Sequence, residues 1–255
     1  MQLTDHCFLI TGAGSGLGAA TATTFAAEGA NVVAVDVNEQ AVKTLAAPLG
    51  DHAAATTMDV TDAGQVEAAV KLATERFGAL HGVVHCAGIL QVSRILTRQG
   101  PHDLDLFRRV IEVNLIGTFN VLRLAAQAMS DNEPNAEGER GVIVTTASIA
   151  AEEGQIGQIA YSASKAGVAG MTLPAARELG KFGIRVVSIA PGVFGTAMMQ
   201  GAPDAVRESL EAQSAFPPRF GRPEEYAALA RQIVENAMLN GTTIRLDGAM
   251  RMNAK

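Results

Sequence analysis

Short runs rich in β-branched residues alternate along the chain with longer, Ala-rich segments whose apolar residues recur at helical spacing. This alternation is typical of βαβ units, in which parallel strands form a sheet that is covered by helices on both faces. The predicted strands are CFLIT, NVVAVD, AAATTMDV, HGVVHCAG, GVIVTTAS, GIRVVSIAPG and TTIRLD. The predicted helices cover residues 17–28, 38–47, 62–77, 104–130, 158–181 and 223–237.

A single domain is predicted for residues 1–255. With 255 residues, 48% of them hydrophobic and 18% charged, the chain can bury one large core. It contains no internal repeat and no Pro/Gly-rich break in composition that would separate a second domain. The expected fold class is α/β, a Rossmann-type doubly wound fold with a seven-stranded parallel sheet and helices on both faces.

Two irregular stretches interrupt the alternation. Residues 129–141 are polar and rich in turn formers, and they predict a surface loop before the next strand. Residues 90–103 follow the HGVVHCAG strand, which places them over the carboxyl end of the sheet. Open α/β sheets bind ligands at this end, so we expect the ligand site beside residues 90–103.

The charge balance argues against nucleic acid and membrane partners. The net charge is −6, from 20 Lys and Arg against 26 Asp and Glu, and no cationic run exceeds Arg108-Arg109. Apolar runs stay short of the roughly 20 residues that cross a bilayer. The start, MQLTDHCFLITGAG, leaves no room for a signal peptide, so a cytoplasmic protein is expected. Cys7 and Cys86 lie in apolar runs and are expected to be buried thiols, as in a reducing compartment.

A glycine-rich turn follows the first predicted strand and opens an Ala-rich helix. Glycine lets the backbone turn tightly and approach a pyrophosphate, which the N–H groups and the dipole of a helix N-terminus attract. The alternative is an ordinary helix-capping turn, but the strand before it and the helix after it favour nucleotide binding. The candidate residues are Gly12, Ser15, Gly16, Leu17 and Gly18.

Asp36 ends the second predicted strand, 18 residues beyond Gly18, close to the spacing at which a carboxylate meets the adenosine ribose. It would accept hydrogen bonds from the ribose hydroxyls of NAD and would repel the 2′-phosphate of NADP. NAD is therefore the predicted cofactor, unless Asp36 is only a solvated turn residue. Asp59, followed by Val60, could accept from the adenine amino group or could equally cap the next helix.

Tyr161 and Lys165 lie in a predicted helix at positions i and i+4, so both project from one face, a single turn apart. A nearby ammonium favours the phenolate, as does a positively charged nicotinamide ring, which makes the phenol usable as an acid or base near neutrality. An ordinary surface pair is the alternative for this spacing alone. Tyr161 is one of only two tyrosines in the chain.

Two further polar residues join this pair. Ser148, at the carboxyl end of GVIVTTAS, could hold a substrate oxygen beside the phenol and stabilise the charge that develops there. Asn114 stands among apolar residues of a long predicted helix. It is either a buried amide satisfied by the local backbone or a group that orders a water leading protons to Lys165.

Together these motifs resemble the short-chain dehydrogenase/reductase family over the whole chain. The resemblance rests on the T-G-x-x-x-G-x-G turn, Asn114, Ser148, Tyr161-x-x-x-Lys165 and Pro191-Gly192. Segments of the second half resemble the type II 3-hydroxyacyl-CoA dehydrogenases more narrowly: Asn-Glu-Pro (132–134), Arg-Gly-Val-Ile (140–143), Glu-Gly-Gln-Ile-Gly-Gln (153–158), Gly-Met-Thr-Leu-Pro (170–174), Pro-Gly-Val-Phe-Gly-Thr (191–196) and Ile-Arg-Leu-Asp-Gly-Ala-Met-Arg (244–251).

The resemblance implies an NAD-dependent enzyme that oxidises the 3-hydroxyl of short or branched acyl-CoA thioesters, with side activity on hydroxysteroids, and that forms a homotetramer. Tyr161 would be the acid/base, Lys165 would lower its pKa, and Ser148 would contact the substrate with Gln155 and Gln158 at the substrate mouth, unless these two are plain helix-entry residues. The cofactor contacts that it implies are Ser15, Leu17, Asp36, Asp59, Val60, Cys86, Ala87, Gly88, Tyr161, Lys165, Pro191, Gly192, Phe194 and Thr196.

The chain departs from the family pattern in two places. His85 replaces the first Asn of the usual N-N-A-G, an amide thought to brace the central strands, and residues 90–103 form a slightly shorter loop than in the type II enzymes. No metal site is expected, because His81 and His85 on one strand lie about 13 Å apart, too far for one ion.

Other functions stay open on the sequence alone. The same four residues serve 3-oxoacyl-carrier-protein reductases and hydroxysteroid dehydrogenases, although Asp36 weighs against the reductase, which usually takes NADPH. A non-catalytic NAD-binding scaffold or redox sensor is the alternative outside enzymes. The complete set of Asn114, Ser148, Tyr161 and Lys165 argues against it.

Overall fold

The central sheet of the computed structural model, which describes residues 1–196, 210–211 and 213–254, is built from parallel strands. Seven strands form it within these residues: β1 (Cys7–Thr11), β2 (Asn31–Asp36), β3 (Ala53–Thr57), β4 (Gly82–His85), β7 (Gly141–Thr146), β8 (Ile184–Pro191) and β9 (Thr243–Leu246), with β5 (Leu96–Thr97) and β6 (Gly100–Pro101) in a separate antiparallel hairpin. The order in the sheet is β3-β2-β1-β4-β7-β8-β9, so the strand order reverses between β1 and β4. The predicted α/β Rossmann-type fold with seven parallel strands is confirmed.

The helices begin and end close to their predicted bounds. In the described residues they are α1 (Gly16–Ala27), α2 (Glu39–Ala46), α3 (Ala63–Phe77), α4 (Leu104–Ile111), α5 (Gly117–Ser130), α6 (Ile159–Leu179) and α7 (Pro223–Glu235). A π-helical turn, Glu112–Ile116, joins α4 to α5, so the helix predicted over 104–130 is continuous but not uniformly α-helical.

Each face of the sheet carries its own core. Leu9, Val83 and Ile143 pack with α3, α5 and α6 on one face, whereas Phe8 and Val84 pack with α1 and α7 on the other. Alternate residues of each strand are thus buried on opposite sides, which explains why these strands are continuous apolar runs without a polar face. The two-sided helical cover that the sequence predicts is confirmed.

The two irregular stretches lie where the sequence predicts. Residues 131–138 are mostly exposed, and Asn132 fixes the loop by donating from Nδ2 to the carbonyl oxygens of Leu80 and Arg140, at 2.7 and 3.0 Å. Residues 90–103 contain the β5–β6 hairpin, which the sequence did not predict because strands of two residues are too short to produce a period. Among the described residues, no helix is long and apolar enough to span a bilayer.

Candidate active site

A cavity of about 530 Å³ lies at the carboxyl ends of the parallel strands, at the point where the strand order reverses. Except for Asn114, all the predicted site residues line it: Gly12, Ser15, Gly16, Leu17, Gly18, Asp36, Asp59, Val60, Cys86, Ala87, Gly88, Ser148, Gln155, Gln158, Tyr161, Lys165, Pro191, Gly192, Phe194 and Thr196. Residues from both halves of the chain therefore meet in one space.

The glycine turn between β1 and α1 forms one end of the cavity. Gly12 and Gly16 have φ of +65° and +54°, a conformation that favours glycine. A Cβ on Gly18 would lie 2.3 Å from the carbonyl oxygen of Gly12, so helix and turn could not approach as they do. Among the described residues, no side chain caps the N–H groups at the start of α1, and its first turn holds no acidic residue. This N-terminus fits the pyrophosphate of a dinucleotide.

Asp36 lies beside this turn at the end of β2. Its Oδ2 accepts the Gly14 N–H at 3.1 Å and its Oδ1 accepts the Asn38 N–H at 2.9 Å, so the carboxylate is held on the cavity wall. A Cβ on Gly14 would lie 2.9 Å from the carboxylate carbon, which explains why the turn needs a glycine there. Asp36 is thus oriented by the turn and also available to a ligand.

Asp59 and Val60 form the neighbouring part of the wall. The structure separates the two roles that the sequence left open, because Asp62 caps α3 through the Gly64 and Gln65 N–H groups. Asp59 instead accepts the N–H and the hydroxyl of Thr61 at 2.9 and 2.8 Å. Asp59 therefore lies on the cavity wall without capping the helix.

Tyr161 and Lys165 lie one turn apart near the start of α6, with the Lys165 Nζ 5.8 Å from the centre of the Tyr161 ring. Lys165 is 4% exposed, and its Nζ donates to the Thr146 carbonyl oxygen at 2.7 Å. Burial lowers the pKa of Lys165 to about 8. Because the Lys165 ammonium donates to Thr146 in β7, its distance from the Tyr161 phenol depends on β7 as well as on α6.

Burial raises the pKa of Tyr161 above its ordinary value, and a hydrogen bond with the Ser148 hydroxyl opposes that rise. The sequence suggests that Lys165 lowers the pKa of Tyr161, but in the protein itself the effect of burial is larger. Ser148 follows β7 and begins the short turn Ile149–Ala151, where its Oγ accepts the Ala150 N–H at 3.1 Å. Both hydroxyls therefore line the cavity, one from a strand end and one from a helix.

Comparison with known proteins agrees with this geometry. The family model described as short chain dehydrogenase matches residues 6–207. This chain belongs to that family. The 3-hydroxyacyl-CoA dehydrogenase type-2 of Bos taurus is 53% identical to it, and that of Homo sapiens 49% identical, each over 96% of this chain and 94% of the relative. The crystal structure of the Mycobacterium avium 3-hydroxyacyl-CoA dehydrogenase type-2 is 40% identical, with a TM-score of 0.95 over 100% of both chains.

Membership of the short chain dehydrogenase family confirms the predicted resemblance and makes this chain an oxidoreductase that uses a nicotinamide cofactor. The uncapped N-terminus of α1 and the carboxylate of Asp36 fit such a dinucleotide. Tyr161 and Ser148 line the same cavity. The turn, the carboxylate and the two hydroxyls thus share one space.

Asn114 lies in the π-helical turn behind the cavity, fully buried. Its Nδ2 donates to the Ile89 carbonyl oxygen at 2.9 Å and to Ser164 Oγ at 3.1 Å, and its Oδ1 accepts the Ile89 N–H at 2.8 Å. Ser164 in turn donates to the Tyr161 carbonyl oxygen at 2.7 Å. These contacts match the buried-amide interpretation, and they tie the segment after β4 to the start of α6.

Asn114→Leu is expected to lower the free energy of unfolding by about 2–4 kcal/mol, because it leaves both polar groups of Ile89 and the Ser164 hydroxyl without this partner. Urea unfolding monitored by circular dichroism measures the change. Gln127→Leu, on the exposed side of α5, is the matched control and should change stability by less than about 0.5 kcal/mol. Equal effects of the two substitutions would contradict the bracing role.

His85, the departure from the family pattern, is buried between β1 and β7. Its Nδ1 lies 3.0 Å from Thr11 Oγ1, and Thr11 Oγ1 accepts the Ala87 N–H at 3.0 Å. Burial and the Lys165 charge lower the pKa of His85 to about 3, so the ring is neutral at pH 7. His85 thus joins neighbouring strands, the bracing role that the usual Asn is thought to have.

Cys7 is buried as the sequence predicts, whereas Cys86 is only partly buried and lines the cavity. Both thiols are free, and burial raises their pKa to about 12 and about 11. Cys86 Sγ donates to Tyr226 Oη at 3.7 Å, and Tyr226 Oη lies 2.6 Å from Thr146 Oγ1. In the described part of the chain, no group of three or more His, Cys, Asp or Glu could hold a metal ion.

Gln155 and Gln158 are helix-entry residues that also line the cavity. Gln158 is the N-cap residue of α6, and its Oε1 accepts the Gln155 N–H at 3.1 Å, while both side chains line the cavity. Val92, Arg109 and Met252 are among the lining residues that sequence reasoning missed. Val92 belongs to residues 90–103, which the sequence places over the carboxyl end of the sheet, but no motif marks Arg109 or Met252.

Proposed function

We propose that this dehydrogenase oxidises the 3-hydroxyl of short or branched 3-hydroxyacyl-CoA thioesters with NAD, and catalyses the reverse reduction. The observation that carries the proposal is the single cavity that joins the glycine turn and Asp36 to Ser148 and Tyr161. The substrate class is supported by the names of the 49% and 53% identical relatives, which match nearly the whole chain.

The chain's own residues would divide the work along this cavity. The first turn of α1, with Ser15, Gly16 and Leu17, would hold the pyrophosphate, and Asp36 would accept the ribose hydroxyls. The nicotinamide ring supplies the hydride acceptor when the cofactor is bound. Pro191, Gly192, Phe194 and Thr196, at and beyond the end of β8, would form the wall beside it.

The hydroxyl groups of Tyr161 and Ser148 would carry out the acid–base chemistry. Tyr161 Oη would take the proton of the 3-hydroxyl, while Ser148 Oγ donates a hydrogen bond to the oxygen as it becomes a carbonyl. The buried Lys165 ammonium, anchored on Thr146, would stabilise the phenolate that Tyr161 must form. In the reductive direction the same phenol returns the proton.

Asp36→Asn is expected to lower the preference for NAD over NADP, expressed as the ratio of kcat/KM values, by about tenfold or more. The amide keeps an oxygen for the Gly14 or Asn38 N–H but lacks the charge that repels a 2′-phosphate. Steady-state rates with each cofactor measure the ratio. Asp51→Asn, an exposed carboxylate outside the cavity, is the control, and a ratio unchanged by Asp36→Asn would contradict the proposed contact.

A homotetramer in the cytoplasm is part of the proposal. Ile116 and Phe119, at the start of α5, are large apolar side chains exposed on the single chain, and burial against another copy would remove them from water. The free thiols of Cys7 and Cys86 fit a reducing compartment. Sedimentation velocity measures the assembly, and a monomer at micromolar concentration would contradict it.

A substrate panel tests the proposal. We expect NADH formation with one enantiomer of 3-hydroxybutyryl-CoA at a kcat/KM well above that for the matching carrier-protein thioester or a hydroxysteroid. Both enantiomers are measured, since the four catalytic residues do not distinguish them. Higher kcat/KM for the reduction of the matching 3-oxoacyl carrier-protein thioester by NADPH would favour a 3-oxoacyl reductase instead, and NAD binding without any turnover would favour a scaffold.

A further inference from the structure

The end of the described chain, residues 249–254, lies against the segment that links the two catalytic hydroxyls. The Met252 N–H donates to Glu153 Oε2 at 3.1 Å, and Gln155 Nε2 donates to the Asn253 carbonyl oxygen at 3.1 Å. The Ile156 N–H donates to the Ala254 carbonyl oxygen at 3.0 Å. Three successive tail residues are thus fastened to residues 153–156, which follow Ser148 and precede Tyr161.

Ion pairs also hold the tail in place. Arg251 lies 3.3 Å from Glu153 and 3.5 Å from Asp247. Arg245, in β9, joins the same two carboxylates at 3.0 and 2.7 Å, and also reaches Glu152 at 2.6 Å. Single surface pairs contribute little to stability, but these arginines share their carboxylates in one network. The network fixes the tail to the last strand and to residues 152–153 at once.

Met252 is the tail residue that lines the cavity, whereas Met250, two positions earlier, is 1% exposed and packed inside the protein. Val92 also lines the cavity, and the Ser93 N–H donates to the Gly157 carbonyl oxygen at 2.9 Å. The segment that carries Gln155 and Gln158 is therefore held between residues 92–93 and the tail. Two apolar side chains from distant parts of the chain stand at its edges.

We propose that Met252 forms a wall of the acyl-chain pocket and determines which acyl lengths the enzyme accepts, an inference that rests on the proposed function. Met252 makes no acid–base contact, but its unbranched thioether adapts to apolar groups of different shape. Its backbone is held by the bond of its N–H to Glu153 and by the bond of the adjacent Asn253 carbonyl oxygen to Gln155, so the point from which the side chain enters the cavity lining is fixed. Removal or enlargement of that side chain changes the room for the acyl chain and leaves the reacting oxygen untouched.

The test compares Met252→Ala and Met252→Phe with the wild-type enzyme. The substrates are 3-hydroxyacyl-CoA thioesters with acyl chains of four, six, eight and ten carbons, with NAD in excess. We expect Met252→Ala to raise the eight-to-four-carbon ratio of kcat/KM by about tenfold, within the range that methylene contacts contribute, and Met252→Phe to lower it. The KM for NAD should change by less than about twofold, because the cofactor end is not altered.

Met238→Ala, whose side chain is 89% exposed, is the matched control and should leave the ratio unchanged. Arg251→Gln keeps Met252 but removes two ion pairs of the tail, and it should weaken the discrimination between acyl lengths without abolishing turnover. Ratios within about twofold of wild type in both Met252 variants would overturn the inference.

Failure of the proposed function has a different signature. If the wild-type enzyme oxidises none of the thioesters, that function fails, and calorimetric titration with saturated acyl-CoA of the same lengths then decides the role of Met252. Length-dependent affinities that shift in Met252→Ala would still support the wall. Affinities that ignore length, or that do not respond to the substitution, would overturn it.

Discussion

Tyr161→Phe is expected to lower kcat for the oxidation of a 3-hydroxyacyl-CoA by about 10³-fold, while NAD still binds. The substitution removes only the oxygen that takes the substrate proton and keeps the ring beside Lys165. Ser148 can still hold the substrate oxygen, so KM should change far less than kcat. Initial rates give kcat and KM, and isothermal titration calorimetry gives the dissociation constant of NAD.

The second tyrosine provides the control for this experiment. Tyr226→Phe makes the same change at a buried hydroxyl that contacts Thr146 and Cys86 but lies outside the cavity lining. It should lower the melting temperature through a lost buried hydrogen bond, with kcat within about tenfold of wild type. Turnover retained by Tyr161→Phe, or lost equally in both variants, would contradict the role of Tyr161.

Lys165→Met is expected to lower kcat by about 10²-fold or more, because no cation then stabilises the phenolate of Tyr161. Methionine has a similar length and no charge, so packing at this buried position is largely preserved. Lys165→Arg keeps the charge and is the control. Equal losses in the two variants would show that shape at this position matters and charge does not.

Lys165→Met is also expected to change how the free energy of unfolding depends on pH. Burial lowers the pKa of Lys165 from 10.5 to about 8, so between these values the folded protein binds fewer protons than the unfolded chain. The contribution of this lysine to stability is therefore complete above its unfolded pKa and is lost as the pH falls towards 8. At pH 7 the wild-type protein carries the cost of a buried ammonium, which Lys165→Met removes.

We expect the stability of Lys165→Met relative to wild type to be greater at pH 7 than at pH 10, by on the order of 2–3 kcal/mol. Denaturant unfolding at both pH values measures this double difference, in which the lost contact with Thr146 cancels. An equal difference at the two pH values would mean that Lys165 titrates alike in the folded and unfolded states.

Local sequence patterns were enough to predict the strands and helices of this protein. Strands such as β7 and β8 are buried along their whole length, so their apolar runs are visible without any partner. The glycine turn and Asp36 were found in the same way, because strand, turn and helix follow one another directly. The period of α6 placed Tyr161 and Lys165 on one helix face, and their assignment to the site also needed Ser148, Asn114 and the glycine turn.

Features that depend on distant partners were not predicted. The π-helical turn Glu112–Ile116 contains Asn114, whose side chain binds Ile89 and Ser164, far away in sequence. Met252 reaches the cavity only because its tail binds residues 153–156, a contact with no local signal.

The proposed function depends on removal of hydrogen from C3 of a 3-hydroxyacyl-CoA and its transfer to NAD. The decisive experiment uses 3-hydroxybutyryl-CoA that carries deuterium at C3, followed by mass spectrometry of the reduced cofactor. We expect NADH with one deuterium from the wild-type enzyme and only a trace from Tyr161→Phe. Unlabelled cofactor, or label that appears only when NADP replaces NAD, would contradict it.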